Sequence, residues 1–164
     1  MATTVVLYEH INYNKDQAGW VYRVRADENL PDDKANNASS IRIYGSHDDV
    51  VHFFTQKDNG GSELAMQAGC EHPDLTKVPR FWSGPFCPQL GQFNDEIMNV
   101  DFDYGMYDFC RSYVYCVETE ALTKKSAGAI VLGPEALKGL AEAPAEEPPD
   151  PPPAPKETKD KKKK

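Results

Sequence analysis

Acid–base, nucleophilic and metal-binding side chains are sparse in this 164-residue chain. The four histidines, His10, His47, His52 and His72, show no HExxH or related ligand spacing. Cys70, Cys87, Cys110 and Cys116 are separated by 16, 22 and 5 residues, without the close pairs that zinc sites use. No histidine can be assigned by spacing to activate a cysteine nucleophile. There is no GxSxG elbow, and KDNGGS (57–62) lacks the GK[ST] ending of a phosphate loop, so it reads as a turn. DFDYG (101–105) is similar to the start of a calcium loop but lacks the later ligands and lies in a strand pattern. The chain therefore reads as non-enzymatic. With no secretion signal in view, the cysteines are expected as reduced, buried thiols. If Cys110 and Cys116 share one extended strand they stand about 20 Å apart, too far to bridge.

Two further features concern partners. Residues 65–92 form a connection longer than compact domains usually contain. Phe81, Trp82 and Phe86 alternate there with Pro and Gly, which suits either a protein-binding hot spot or a Trp82 that folds back over the end of the core. The last six residues carry five lysines, a run that reads as a solubilising tip or as a contact for an acidic surface. The formal charge of −8 is uneven: residues 144–164 hold six lysines and five acids, leaving about −9 on the rest. Such a body repels nucleic acid and favours cations. No apolar run approaches a membrane span and MATTVVLYEH does not read as a signal peptide, so a cytoplasmic location is expected.

The elements that must position these residues are strands. TVVLY (4–8), WVYRVR (20–25), IRIY (41–44), VVHFFT (50–55), IMNVDFDY (97–104) and RSYVYCVE (111–118) are short β-branched and aromatic runs. In the second, Trp20, Tyr22 and Val24 share a face. In the fifth, Val100, Phe102 and Tyr104 are expected inward, with Asp101 and Asp103 toward water. Turns such as LPDD, NNASS and YGS separate them, so the fold class is an all-β antiparallel sandwich over residues 3–118. An extension, 119–143, follows, with a short helix expected at 134–143. Seven prolines within twelve residues then open a Pro/Lys-rich tail, 144–164, expected to be disordered.

The body repeats. VVLYEHINYNKDQAGWVYRV leads to ANNASSIRIY, and VVHFFTQKDNGGSELAM leads to FNDEIMNVDF. This order resembles the βγ-crystallin family, whose domain is two Greek keys. Each key carries an aromatic, six residues and a glycine in its first hairpin, and ends in two Asn/Asp, two variable residues, Ser/Thr and Ser. YEHINYN (8–14) is similar to that hairpin, Phe54 to Gly61 keeps its spacing, and ANNASS (35–40) and NDEIMN (94–99) stand at the closing turns. Lys15 occupies a glycine position, which implies strain or a reshaped turn. Ala35 replaces the first Asn/Asp, while Met98 and Asn99 replace Ser/Thr and Ser.

The resemblance implies a non-catalytic structural domain that binds Ca2+ between its turns. By position, Ser39 and the Glu96 carbonyl would form one site. The other would pair the Asn37 carbonyl with Met98, whose thioether is a poor ligand for a hard cation. At most one weak site is thus expected, unless the turns only cap strands through Asn and Ser hydrogen bonds. Asn37-Ala38-Ser39 is also a glycosylation sequon, and a glycan there would obstruct the turn. The alternative function is an assembly protein that docks a larger complex, without calcium, through the 65–92 loop and the 119–164 extension.

Overall fold

Val5, Leu7, Ile41 and Ile43 alternate with Val6, Arg42 and Tyr44, so two β-branched runs can each give one face to a common core. The computed structural model describes residues 2–82, 86–105, 110–114 and 130–131. Twelve strands are assigned: β1 (Thr4–Tyr8), β2 (Val21–Val24), β3 (Glu28–Asn29), β4 (Ser40–Tyr44), β5 (Val50–Gln56), β6 (Gly60–Gln67), β7 (Glu71–His72), β8 (Pro79–Phe81), β9 (Gln89–Gln92), β10 (Asn99–Asp101), β11 (Arg111–Val114) and β12 (Ile130–Val131). One sheet runs β2-β1-β4-β7, the other β12-β11-β6-β5-β10-β3, and β8 and β9 form a separate hairpin.

This is the expected two-Greek-key sandwich, antiparallel except where β11 joins β6 and β12, and its topology shows why the repeat works. In the first key β1, β2 and β4 stay together while β3 crosses to pair with β10. In the second, β5, β6 and β10 stay together while β7 crosses to pair with β4. Each key thus lends one strand to the other's sheet, and neither sheet is complete alone. Between the sheets lies a core that includes Val5, Leu7, Ile41, Val51, Phe53 and Phe93.

Several expectations change. Burial is not confined to one face: on the outside of the second sheet Phe54 and Ala65 are buried along with Tyr113. Tyr104 does not continue the inward row of Val100. The strand ends at Asp101, and Tyr104 turns to set its ring edge-on to His52 and Phe54 on the outer face, at 5.5 and 4.8 Å. The 65–92 connection is not one loop, since β7, a 3-10 turn (Leu75–Lys77), β8 and β9 occupy it. At two to four residues these strands are too short to show a period in sequence. β11 completes the second sheet by pairing parallel to β6. The helix expected at 134–143 lies outside the described residues.

Lys15 keeps an ordinary right-handed φ of −67°. The left-handed conformation is taken up earlier, by Asn12, Tyr13 and Asn14 at φ 54°, 59° and 59°. Asn tolerates it better than most residues. Ser40 holds the reshaped turn, its Oγ accepting from the Tyr13 N–H at 3.1 Å and donating to the His10 carbonyl at 2.7 Å. In the second key Gly61 takes the positive φ expected at the corresponding glycine position, 78°.

The cysteines also depart from expectation. Cys87 and Cys110 form a disulfide, with Cα atoms 5.3 Å apart, and Cys70 is disulfide-bonded as well. Spacing along the chain could not show this, because the β8–β9 hairpin brings Cys87 beside the start of β11. Closing a 23-residue loop stabilises by about 3 kcal/mol in the chain-entropy account. Cys87→Ser/Cys110→Ser should therefore lower the urea midpoint by a matching amount against the oxidised protein. An unchanged midpoint would show that the bridge does not constrain the unfolded chain.

Candidate functional site

The two closing turns meet at the end of the sandwich. Asn36 and Asp95, which fill the second Asn/Asp position of each, both adopt left-handed backbone, φ 59° and 55°. This conformation aims each turn's N–H at the other: Asn36 N–H donates to the Ile97 carbonyl at 2.9 Å, and Asp95 N–H to the Ala38 carbonyl at 3.0 Å. The reciprocal pair gives the turns an approximate two-fold relation. Ala38 and Ile97 are buried beneath it and tie it to the core.

That relation places Ser39 against Asp95, with Oγ 3.3 Å from Oδ1. The other carboxylate oxygen, Oδ2, accepts from Asn94 Nδ2 at 2.8 Å, and Asn94 Oδ1 is buried without a hydrogen-bond partner among the described residues. The backbone carbonyls of Asn37 and Glu96 accept no hydrogen bond from the described residues, which leaves both open to solvent or a cation. The Glu96 side chain turns toward Arg80, Oε1 to Nη2 3.9 Å. Asn37 folds its amide back onto the Ala35 carbonyl at 3.2 Å, and its half of the pair faces the turn that carries Met98. Met98 packs against the core and offers no oxygen from its side chain.

The Asp95 carboxylate was absent from the sequence-derived ligand set of Ser39, Asn37 and Glu96. It occupies the second Asn/Asp position of its turn, so the motif itself held that signal. A calcium ion takes six to eight oxygens at about 2.3–2.6 Å. Two oxygens 3.3 Å apart can both reach one such ion, subtending roughly 90° at the metal. The donor types on this side, a carboxylate, a hydroxyl and by position the Glu96 carbonyl, suit a hard cation. The opposite side, with a thioether, does not.

The aromatic residues singled out in sequence lie on the β8–β9 hairpin. Phe81 is half-buried, and its carbonyl accepts from Ser62 Oγ at 2.5 Å. Trp82 is 50% exposed and Phe86 88%, so Trp82 does not close the core. Leu90, unremarked in sequence, stands 49% exposed on the same hairpin. The Cys87–Cys110 bridge anchors the residue next to Phe86 to the second sheet. Among the described residues no helix is long and apolar enough to cross a membrane, and no group of three His, Cys, Asp or Glu side chains could hold a metal.

No family model and no curated protein matches the chain. Solved structures similar to it include two βγ-crystallins. A βγ-crystallin from an archaeon is 18% identical with a TM-score of 0.45, covering 63% of this chain and 100% of its own. A βγ-crystallin from Ciona intestinalis is 17% identical with a TM-score of 0.42, covering 61% of this chain and 99% of its own.

Proposed function

We propose that the chain is a non-catalytic structural domain of the βγ-crystallin kind, in which one calcium ion bridges the paired closing turns. The observation that carries this is the approach of Ser39 Oγ to Asp95 Oδ1 across two turns 56 residues apart in sequence. Ca2+ bound there joins the first Greek key to the second, so binding favours the folded state over the unfolded one. The acidic body adds a long-range attraction for cations. Ser39, Asp95 and the Glu96 carbonyl hold the ion. Asn37, opposite Met98, contributes no second site.

A thermal melt in chelator and again in calcium tests this. Saturation at a hundredfold excess over the dissociation constant should add about 2.7 kcal/mol of stability. Ser39→Ala should abolish most of the gain while changing the melt in chelator little. Equal melting temperatures with and without calcium, in a cooperatively folding protein, would mean that the turns only cap strands.

A second reading rests on Trp82, Phe86 and Leu90. Large exposed apolar groups on a disulfide-anchored hairpin suit a docking surface for a protein partner. It is compatible with the first, since Trp82, Phe86 and Leu90 are not among the residues proposed to hold the ion. The disulfides support an oxidising compartment for the folded chain in place of the cytoplasmic one expected from sequence.

A further inference from the structure

Between the β8–β9 hairpin and the β5–β6 turn lies a groove of about 300 Å³. Trp82 and Leu90 form its apolar side, and Gln56, Gly61 and Ser62 its floor. The Trp82 indole N–H donates to none of the described residues. Arg80 also lines the groove. Its Nη2 reaches the Leu90 carbonyl only at 3.4 Å and Glu96 Oε1 only at 3.9 Å, while its Nε is buried without a hydrogen-bond partner among the described residues. An exposed indole, an aliphatic neighbour and an underused guanidinium suit an extended, proline-rich and acidic peptide. Proline rings pack on aromatic faces, backbone carbonyls accept from the indole, and the low entropy of the polyproline helix keeps the ordering cost small.

The same chain contains such a segment. Residues 148–155, PPDPPPAP, hold six prolines in eight positions, with Glu146, Glu147 and Asp150 in or just before them. We propose that the Arg80–Trp82–Leu90 groove takes the chain's own 148–155 segment as a polyproline helix, covering part of the hairpin that would otherwise meet a partner. Reach allows it. Sixteen residues, 132–147, link β12 to this segment. They span up to roughly 55 Å when extended, against a sandwich roughly 35 Å across. β12 pairs with β11, and β11 lies beside β8 through the hydrogen bond from Ser112 Oγ to the Pro79 carbonyl, so the linking residues leave from a strand near the hairpin. Tethering of this length gives effective concentrations on the order of 1 mM, so a contact of only about 0.1 mM affinity would be occupied roughly nine-tenths of the time.

The inference deepens the docking reading of the hairpin and does not require calcium. The test uses the full chain carrying Trp20→Phe, which leaves Trp82 as its one tryptophan. Acrylamide quenching of Trp82 is compared with that of a second full chain whose prolines 148, 149, 151, 152, 153 and 155 are serine. The second chain should be about twofold more quenchable if the groove is mostly occupied in the first. Adding the free peptide EEPPDPPPAPK at millimolar concentration should restore protection. Arg80→Gln should lose protection with its near-ultraviolet circular dichroism intact. Equal quenching of the two chains overturns the inference. In that case, peptide protection in trans would still leave the docking reading standing, and no protection at all would remove both. Protection that grows with protein concentration would assign the groove to a second copy's tail and overturn occupancy by the chain's own.

Discussion

Replacing Arg111 by methionine is expected to cost about 3–5 kcal/mol of folding stability, as breaking one side of a buried ion pair does. Glu63 is fully buried on the outer face of β6. It is held by two groups: His52 Nδ1 at 2.6 Å from Oε1, and Arg111 Nη2 at 2.9 Å from Oε2. Arg111, 1% exposed, is the register partner of Glu63 in the parallel β6–β11 pairing. Without the guanidinium, a carboxylate that has lost its water keeps only an imidazole. The cost should appear in the urea midpoint, and amide exchange should accelerate across β11, whose attachment depends on the pair. Arg111→Met/Glu63→Gln removes the stranded charge as well and should recover more than half of the loss. A single variant within about 0.5 kcal/mol of the parent would show the charge to be screened by water, as at exposed pairs. A double variant no better than the single would assign the loss to packing of the arginine stem.

Acid should destabilise the domain through His72. The side chain is buried in β7, where the Asp74 N–H donates to its Nδ1 at 3.2 Å and so requires the neutral ring. Burial lowers its pKa from 6.5 to about 4, against a weaker opposing pull from the Asp74 carboxylate. Below pH 6.5 the unfolded chain takes up the proton and the folded chain does not. Stability therefore falls as pH drops from 6.5 to about 4 and levels off below that, a loss of about 3 kcal/mol from this group. His72→Gln, which cannot titrate, should flatten the pH dependence across this window. Equal losses in parent and variant between pH 7 and 4.5 would place the acid sensitivity elsewhere.

How much of the site was legible differs from residue to residue. Ser39 and the 94–99 turn could be named because the family motif they resemble is short: its Asn/Asp and Ser positions lie within six residues, so it can be matched without knowing the fold. Asp95 was left out of the candidate set although it fills the second Asn/Asp position, and only the pairing of the two turns shows its carboxylate beside Ser39. The ion pair left no trace in sequence. Glu63 and Arg111 are 48 residues apart, and a charged residue within a strand pattern reads as facing solvent. Only the addition of β11 to the edge of β6 buries both. The disulfide is of the same kind, since 22 intervening residues fit many arrangements and the β8–β9 hairpin selects one.

What the sequence determined by itself was the architecture. β-branched alternation and turn residues act within a few positions, so β1, β2, β4 and β5 and the order of two similar units follow from local rules and a repeated pattern. Tertiary structure alone decided which faces were buried twice, which cysteines met, where the turn at Lys15 was reshaped, and that the Asp95 carboxylate stands beside Ser39. Those outcomes depend on contacts between residues far apart in the chain. Their energies arise only when two sheets close on each other and exclude water, and no single segment carries that information.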